Sequence, residues 1–261
     1  MDSKLFVNTP PKTITVEQAS QFREQGFFIV PALYTPEELE LMHQLRIRVE
    51  TEARDNAGSY TRNGALYEVK ALVNDPGGRA ALRKIQEVFS SEPDFRAVAA
   101  SDKILDIVED LIGPEIYYHS SKLMCKPAKG GQRKPWHQDF AYWADMQPKQ
   151  VTVWGALDPA TLENGCLQVI PGSHLKGLVE HHHAEDFMID ENLIDEGDIF
   201  YAVMNPGDVL FFNVMLLHAS AANMSDEPRV ATIIDFDSES ATDRTFGCDT
   251  PLRTADSCKK Q

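Results

Sequence analysis

The stretch Trp136-His137-Gln138-Asp139-Phe140 places a histidine and an aspartate two residues apart within an apolar and aromatic run. Such a run is typical of a β-strand, in which residues i and i+2 point to the same face of the sheet. His137 and Asp139 would then supply two of the three groups of a 2-His-1-carboxylate facial triad for non-haem Fe(II). The alternative is a surface strand with two polar side chains, and the pair alone does not separate these interpretations.

The composition narrows the classes of protein that the chain can belong to. It has 261 residues, 43% of them hydrophobic, with a net charge of -15 and a sequence pI of about 4.9. This acidity argues against binding to nucleic acid or to an anionic membrane surface, since both kinds of binding depend on surface patches of Lys and Arg. The N-terminus lacks a signal-peptide pattern, and no apolar run approaches the roughly 18 residues that span a bilayer. We expect a cytoplasmic protein, a monomer or homodimer, that acts on a small molecule.

The N-terminal part of the chain is dominated by helical patterns. Thr15 and Gln18 have the spacing of a capping box, and Gly26 is a natural stop for the helix that they open. Thr35 and Pro36 open a second helix. We expect helices over residues 15–26, 35–53 and 94–113, short strands over 27–30 and 67–73, and a loop over 54–66.

The second part of the chain consists of short apolar runs separated by Gly and Pro turns, which is typical of a jelly roll or barrel. Strands are predicted over residues 116–126, 137–142, 151–157, 166–170, 199–203, 209–213 and 230–236. We therefore expect a single domain over residues 1–261 that is mainly β with flanking helices. Its core would be a double-stranded β-helix (jelly roll, cupin-like) over 114–240, with a helical part, 14–113, packed on one sheet.

A facial triad requires a second histidine that is distant in sequence, and His218 is the preferred candidate. It ends an apolar run that follows the turn Pro206-Gly207-Asp208, and a buried imidazole in such a strand requires a polar partner. A metal ion would serve, but so would a hydrogen bond within the core. The consecutive histidines 181–183 lie in an acidic stretch and are expected to form a solvated loop.

Arg229 lies at the head of the strand predicted over 230–236, which we expect to run back beside the strand of His218. A buried arginine at this position requires an anion, and a guanidinium grips a carboxylate through two parallel hydrogen bonds. The alternative is a surface arginine next to the acidic turn that contains Glu227.

Taken together, these residues resemble the phytanoyl-CoA dioxygenase family of Fe(II)- and 2-oxoglutarate-dependent oxygenases. The ordered set that carries the resemblance is His137-Gln138-Asp139, His218, Ser220 and Arg229. Two further segments, Asn164-Gly165-Cys166-Leu167 and Pro171-Gly172-Ser173-His174, resemble the NGCL and PGSH segments of the family. The resemblance covers residues 14–237.

The resemblance implies roles for individual residues. His137, Asp139 and His218 match the iron ligands, and Arg229 and Ser220 match the groups that bind the distal carboxylate of 2-oxoglutarate. Trp154 matches an aromatic residue of the cosubstrate pocket. Lys84 aligns with a pocket lysine, although a helix-surface lysine fits as well. Lys122 stands where some members have an apolar pocket residue, which leaves open whether it serves the cosubstrate or the substrate.

The resemblance also implies the reaction. Fe(II), 2-oxoglutarate and O2 would oxidise an unactivated C–H bond and release succinate and CO2. An aspartate at position 139, where related halogenases have a small residue, favours hydroxylation, desaturation or ring rearrangement over halogenation. The alternatives are an acyl-CoA 2-hydroxylase, a non-catalytic jelly-roll binding protein, and a cupin-like enzyme with another metal, which would not need Arg229.

The substrate is expected to be a small metabolite without CoA, such as a natural-product or amino-acid-like intermediate, because an acidic chain has no basic groove for CoA phosphates. Residues 54–75 and 176–200 are expected to form the substrate lid. The candidate contacts are Tyr60, Arg62, Tyr67, Phe187 and Tyr201, for which surface loop positions are the alternative.

Overall fold

The structure, a computed structural model, describes residues 10–54, 58–72, 80–143, 150–238 and 251–254. Within these residues, no helix combines the length and the apolar character needed to cross a lipid bilayer. Cys125 and Cys166 are buried free thiols, whereas Cys248 and Cys258 lie outside the described residues.

The helices form as their capping signals predict. Thr15 Oγ1 accepts a hydrogen bond from the backbone N–H of Gln18 at 3.1 Å, and Gln18 Oε1 accepts one from the N–H of Thr15 at 2.9 Å. The first helix stops at Gly26, whose φ of 87° is left-handed. The helices are α1 (Val16–Gln25), α2 (Pro36–Arg54), α3 (Val88–Ser91), α4 (Pro93–Ala99) and α5 (Asp102–Ile112).

The described strands form two main antiparallel sheets and one small hairpin. In chain order they are β1 (Phe27–Val30), β2 (Tyr60–Arg62), β3 (Ala65–Ala71), β4 (Ala80–Gln86), β5 (Tyr117–Lys126), β6 (Lys134–His137), β7 (Gln150–Ala156), β8 (Leu167–Val169), β9 (His182–His183), β10 (Phe187–Met188), β11 (Phe200–Ala202), β12 (Val209–Asn213), β13 (His218–Ser220) and β14 (Arg229–Asp237). The major sheet has the order β1-β12-β7-β14-β5-β4-β3-β2, and the minor sheet has the order β11-β8-β13-β6.

Successive residues of a strand point to opposite faces of the sheet, so the apolar residues of the major sheet pack into two separate core layers. The outer face of the major sheet packs on the helices, and its core includes Phe22, Phe28, Met42, Leu45, Phe95, Val153, Phe211 and Ile234. A second core lies between the two main sheets and includes Phe27, Trp154, Leu167, Val169, Leu210 and Phe212. The expected mainly β jelly roll with helices packed on one sheet is thereby confirmed.

The expectation of a helical part over residues 14–113 is incomplete, because this part also supplies four strands to the major sheet. Strand β1 forms one edge, and β2, β3 and β4 extend the other beyond β5. The loop predicted over 54–66 is wrong for residues 60–62 and for Ala65 and Leu66, which belong to the hairpin of β2 and β3. Residues 55–57 and 73–79 lie outside the described residues.

Gly155 of β7 offers a test of the packing between the major sheet and the helical layer. A Cβ atom at this position would overlap the Tyr34 ring and lie 2.6 Å from Thr232 Oγ1. We expect Gly155→Ala to lower the free energy of unfolding by about 1–3 kcal/mol, because neither buried neighbour has room to move. Urea denaturation measures the change. Gly58→Ala is the control, since no atom lies within 4 Å of the added methyl group, and an equal effect of both substitutions would contradict this account.

Candidate metal centre and cosubstrate pocket

Strand pairing in the minor sheet brings the two histidines together. His137 is the last residue of β6 and His218 is the first residue of β13, and the two are direct partners in the antiparallel register. Their ring centroids lie 4.1 Å apart. Each side chain points into the space between the sheets, where the His218 ring lies 4.9 Å from the ring of Phe212 on the major sheet.

Asp139 reaches the same site by a route that differs from the predicted one. Strand β6 stops at His137, and residues 139–143 form a turn of 3-10 helix. The prediction of a strand over 137–142, with both ligands on one strand face, is therefore wrong, although the two side chains do converge. One ligand atom from each of His137, Asp139 and His218 lies within 4.8 Å of the others, and all three side chains are buried.

The strand predicted over 209–213 is confirmed as β12. The apolar run continues to His218 in a second strand, because β12 lies in the major sheet and β13 in the minor sheet. A turn closed by the hydrogen bond from Leu216 N–H to Asn213 O, at 2.8 Å, separates them. His218 therefore begins a strand, and the change of sheet carries it to His137.

The backbone determines which nitrogen of each imidazole faces the site. His137 Nδ1 lies 2.9 Å from Pro135 O, and His218 Nδ1 lies 2.9 Å from Leu216 O. A carbonyl oxygen can only accept, so each Nδ1 carries the proton and each Nε2 keeps a free lone pair. The two Nε2 atoms lie 3.6 and 3.7 Å from Asp139 Oδ1. This is the tautomer that a metal ligand requires.

Electrostatics favour the same protonation states. Burial and the charge of His218 lower the pKa of His137 to about 3, so its imidazole is neutral at physiological pH. Burial alone would raise the pKa of Asp139. The neighbouring His218 imidazole and the ammonium of Lys122 outweigh burial, however, and hold the pKa of Asp139 well below its usual range. The site therefore presents a neutral His137 imidazole and an ionised Asp139 carboxylate, two donors of the set that a non-haem iron centre uses.

A polar chain on the inner face of the major sheet supports Asp139. Thr152 Oγ1 lies 3.0 Å from Asp139 Oδ2 and 2.8 Å from Asp235 Oδ1. Asp235 also accepts a hydrogen bond from Ser120 and lies 3.7 Å from Lys122 Nζ. Burial, assisted by the charge of Asp139, raises the pKa of Asp235. A protonated Asp235 would donate to Thr152, leaving the Thr152 proton for Asp139.

Sequence reasoning missed Thr152 and Asp235. The available signal was one polar residue, Thr152, in the apolar strand at 151–157 and two, Thr232 and Asp235, in the apolar strand at 230–236. Because buried polar groups need partners, these positions were candidates for a buried polar site.

Gln138, between two of the triad residues, anchors the site to its neighbouring loops. Its side-chain amide donates to Gly177 O at 3.0 Å and to Met215 O at 2.6 Å, and its Oε1 accepts from Val179 N–H at 2.8 Å. Its backbone N–H donates to His181 Nε2 at 3.0 Å. His181 is therefore half-buried and bonded, which corrects the expectation of a solvated loop for this residue; His182 and His183 are exposed.

Arg229 lies in the same barrel interior but reaches it from the opposite sheet. Strand β14 pairs with β5 and β7, so the expectation that it runs beside the His218 strand is wrong. Arg229 is only 2% exposed, which excludes the surface-arginine alternative. Its Nη1 donates to Gly165 O at 2.8 Å, and its guanidinium lies over the Trp154 ring at 5.2 Å.

The arginine retains unused hydrogen-bonding capacity. Its Nε is buried and has no hydrogen-bond partner among the described residues. Burial lowers the pKa of Arg229 to about 10, which leaves it charged at neutral pH. Ser220 is buried on β13, and the carbonyl of the next residue, Ala221, is the atom that a Cβ at Gly165 would strike. Arg229, Gly165 and the end of β13 thus meet at one end of the barrel.

Lys84 and Lys122 both lie on interior-facing positions of the major sheet. Lys122 of β5 shares a register row with Trp154, and its Nζ lies 6.0 Å from the Trp143 ring centroid. Lys84 is on strand β4 rather than on a helix surface, and its Nζ lies 3.2 Å from Gln86 Oε1 and 3.4 Å from Glu68. Lys122 is therefore the closer of the two to the triad, since the charge of Asp139 acts on it directly.

Three of the predicted substrate contacts instead hold the β2–β3 hairpin on the helical layer. Tyr67 is fully buried in the outer core, and its hydroxyl donates to Glu92 at 2.7 Å. Arg62 pairs with Glu52 and Glu92, each at 2.5 Å, and Tyr60 stacks on Tyr67 with centroids 4.7 Å apart. The prediction that Tyr60, Arg62 and Tyr67 contact a substrate is not supported by these positions.

Tyr201, another predicted substrate contact, points to the face of the minor sheet opposite to that of His137 and His218. Phe200, Val169, His218 and His137 form one register row of the minor sheet, and Tyr201 belongs to the next row with Gln168 and Ala219. Successive residues of a strand alternate faces, so Phe200 shares the face of the histidines and Tyr201 points away. Phe187 remains a candidate because its ring lies 5.2 Å from Tyr142 and from His181, and Tyr142 lies 6.2 Å from His137.

Comparison with known proteins agrees with this geometry. The family described as phytanoyl-CoA dioxygenase (PhyH) matches residues 22–231. The chain belongs to the phytanoyl-CoA dioxygenase family. The expectation of an oxygenase that depends on non-haem iron and 2-oxoglutarate is thereby confirmed.

The relatives of the chain include ectoine dioxygenases and phytanoyl-CoA dioxygenases. Ectoine dioxygenase of Halomonas elongata is 30% identical over 83% of this chain and 68% of its own length. Peroxisomal phytanoyl-CoA dioxygenase of Bos taurus is 27% identical over 85% of this chain and 68% of its own length. Among solved structures, EctD from Sphingopyxis alaskensis with 2-oxoglutarate and 5-hydroxyectoine superposes with a TM-score of 0.73 at 23% identity, covering 91% of this chain and 81% of that chain.

Thr152 tests whether the polar chain positions the carboxylate ligand. We expect Thr152→Val to weaken Fe(II) binding about 10- to 100-fold, the usual effect of losing a hydrogen bond to a metal ligand. Competition with a chromogenic chelator under anaerobic conditions measures the affinity. Thr232→Val is the matched control, because Thr232 is equally buried but bonds Tyr34 on the outer face, at 2.9 Å. Unchanged Fe(II) affinity in Thr152→Val, or an equal loss in the control, would reject this role.

Proposed function

We propose that the chain hydroxylates an unactivated C–H bond of a small-molecule metabolite, using Fe(II), 2-oxoglutarate and O2 and releasing succinate and CO2. The observation that carries this proposal is the convergence of His137, Asp139 and His218 in one buried cluster, with a buried and incompletely bonded Arg229 in the same barrel. A non-catalytic binding protein would not need the complete set, and a cupin-like enzyme without a keto acid would not need the arginine.

His137, Asp139 and His218 would hold the iron. Both Nε2 atoms lie within 3.7 Å of Asp139 Oδ1, while Thr152 binds the other carboxylate oxygen. When bound, Fe(II) supplies the redox chemistry that activates O2 for C–H oxidation. The chain contributes the ligand tautomers, the ionised carboxylate and a largely apolar surround that includes Phe212 and Val169.

Arg229, Ser220 and Trp154 would hold 2-oxoglutarate. A guanidinium with unused N–H groups, placed over an indole ring, matches the distal carboxylate of the keto acid in charge and geometry. Burial removes water from this contact and strengthens it. Lys84 is held by Glu68, whereas Lys122 lies nearer to the triad and is the better candidate for a contact to the cosubstrate or substrate.

Hydroxylation is the favoured outcome because Asp139 occupies the carboxylate position and is held there from both sides. Its Oδ1 faces the two imidazoles and its Oδ2 is bonded to Thr152, so no position is vacated for a halide ligand. Desaturation and ring rearrangement draw on the same oxidising centre and are compatible with the same residues.

The substrate side of the site is aromatic and carries both signs of charge. Tyr142 and Phe187 pack edge to face, and Lys134 Nζ lies 2.8 Å from both the Tyr142 hydroxyl and Asp186. A small polar metabolite, as in natural-product or amino-acid-like intermediates, suits this surface and the net charge of -15. The name of the mammalian relative supports an acyl-CoA 2-hydroxylase as the second candidate. Separate assays with an acyl-CoA panel and with a panel of small polar metabolites distinguish the two.

The deciding experiment is uncoupled turnover by the purified protein. We expect succinate to form from 2-oxoglutarate when Fe(II) and O2 are present, and to stop when either is withheld. Metabolite pools that accelerate this turnover then identify the substrate class. A protein that binds Fe(II) but forms no succinate, with or without these pools, would reject the proposed activity.

We expect His137→Ala and His218→Ala each to abolish succinate formation while the circular dichroism spectrum stays unchanged. The reason is that a facial triad has no spare protein ligand, so the loss of one imidazole releases the iron. His182→Ala is the matched control, because it removes an exposed imidazole next in sequence to His181, which bonds the backbone of Gln138. Full turnover by either triad variant would exclude the assigned metal centre.

Arg229 is expected to determine affinity for 2-oxoglutarate with little effect on Fe(II). Losing one partner of a buried ion pair costs on the order of 3–5 kcal/mol, so Arg229→Ala should weaken 2-oxoglutarate binding roughly 100-fold or more. Arg229→Lys should recover only part of the loss, because an ammonium cannot form the two-point contact. Calorimetry on the anaerobic Fe(II) protein measures the dissociation constant for 2-oxoglutarate in each variant. Arg48→Ala, on the helical layer, is the control. A wild-type dissociation constant for 2-oxoglutarate in Arg229→Ala would reject the role of Arg229 in binding the cosubstrate.

A further inference from the structure

Lys126 is a buried lysine that the roles described so far do not use. It is the last residue of β5, it is 3% exposed, and it lies directly opposite Arg229 in the register between β5 and β14. Residues opposite each other in an antiparallel pair point to the same face of the sheet. Lys126 therefore shares the end of the barrel interior that Arg229 and Ser220 occupy.

The contacts of Lys126 place its amine at the end of β13. Lys126 Nζ donates to Ser220 O at 3.3 Å and also to Ala221 O. A protonated amine has three N–H groups, so one donor remains beyond these two backbone contacts. The amine thus lies against the backbone of Ser220, the residue whose hydroxyl we assign to the distal carboxylate.

Two neighbouring buried cations without an anion are electrostatically unfavourable. Within the described part of the chain, neither Lys126 nor Arg229 forms an ion pair, and the acid that acts on Arg229, Asp158, is already paired with Arg46 at 2.9 Å. Burial and the charges of Arg229 and Arg83 lower the pKa of Lys126 to about 6. At pH 7 the amine of Lys126 is therefore mostly neutral, and an anion bound between Lys126 and Arg229 would return it to the charged form.

We propose that Lys126 is a second cationic group of the cosubstrate pocket, which binds the distal carboxylate of 2-oxoglutarate together with Arg229 and Ser220. The proposal rests on the proposed function, since it assigns a further residue to the same pocket. An incoming carboxylate would favour the protonated amine and offset the repulsion from Arg229. The specificity for a keto acid with a second carboxylate would then come from two cations rather than one.

The test compares two keto acids that differ only at the distal end. 2-Oxopentanoate has the chain length of 2-oxoglutarate but carries a methyl group in place of the distal carboxylate. We expect Lys126→Met to weaken 2-oxoglutarate binding about 10- to 100-fold, the range for losing a hydrogen bond to a charged group, and to leave 2-oxopentanoate binding unchanged. Calorimetry on the anaerobic Fe(II)-loaded protein measures both dissociation constants.

Two further variants separate charge from local structure. Lys126→Gln keeps a donor for the carbonyls of Ser220 and Ala221 but carries no charge, and we expect it to lose 2-oxoglutarate affinity as Lys126→Met does. Lys129→Met is the matched control, because it removes an exposed ammonium, paired with Asp226, from the same segment. We expect this control to bind both keto acids as the wild-type protein does.

The outcomes decide the proposal in either direction. An equal loss for both keto acids, or a return of 2-oxoglutarate affinity in Lys126→Gln, would show that Lys126 only holds the end of β13 and would overturn the proposal. Unchanged 2-oxoglutarate binding in Lys126→Met would overturn it while leaving the proposed function intact. Failure of the wild-type protein to bind 2-oxoglutarate would reject both the role of Lys126 and the proposed function.

Discussion

The pairing of β6 with β13 is the constraint on which the metal centre depends. It sets His137 opposite His218, and each imidazole is then oriented by the carbonyl of the residue two positions before it in the chain. Because both Nδ1 protons go to backbone oxygens, the orientation of the two Nε2 atoms follows from the course of the main chain. A site formed in this way needs no rearrangement of its ligands before a metal binds, which lowers the entropy cost of binding.

The same barrel interior contains an unusual concentration of buried polar groups. Asp139, Asp235, Lys126 and Arg229 are each at most 6% exposed, although such groups are rarely buried without partners. Asp139 and Asp235 are connected through Thr152, whereas the hydrogen bonds of Lys126 and Arg229 within the described residues go to backbone carbonyls. The two acidic side chains are therefore satisfied by side-chain hydrogen bonds, whereas the two basic side chains have no ion-pair partner among the described residues. This imbalance is the physical sign of a pocket that receives an anionic ligand.

The sequence predicted the helices and strands of the fold well. It predicted less well which face of the sheet each strand residue points to. Phe200 and Tyr201 are adjacent aromatics in one strand, and only the pairing of β11 with β8 decides which of them faces the histidines. A one-residue shift exchanges the faces, and a single sequence carries no information about the partner. Strand β4 was missed for a related reason: Leu82 and Ile85 have a helix-like spacing, and a register shift at Glu68/Val69 keeps both on the buried face.

The site residues were predicted more securely than the geometry that brings them together. His137, Asp139, His218 and Arg229 were identified by their order along the chain, yet Asp139 leaves the strand for a 3-10 turn and Arg229 belongs to the other sheet. An ordered motif records which residues are required, whereas their placement depends on tertiary contacts between segments that are far apart in sequence. Thr152, Asp235 and Lys126 escaped notice because they lie outside the ordered motif, and a single sequence does not show which strand residues face the barrel interior.

The two main sheets contribute different halves of the site, and this division explains why the site needs the two sheets packed face to face. The minor sheet supplies the imidazoles and Ser220, and the major sheet supplies Arg229, Lys126 and the Thr152–Asp235 pair that holds Asp139. Asp139 is the link, since it follows β6 of the minor sheet but is bonded to β7 of the major sheet at 3.0 Å. The spacing between the sheets is maintained by the core around Trp154, Phe212 and Val169. Apolar packing therefore controls the distance between the metal ligands and the cosubstrate cations, and so links the stability of the barrel to its chemistry.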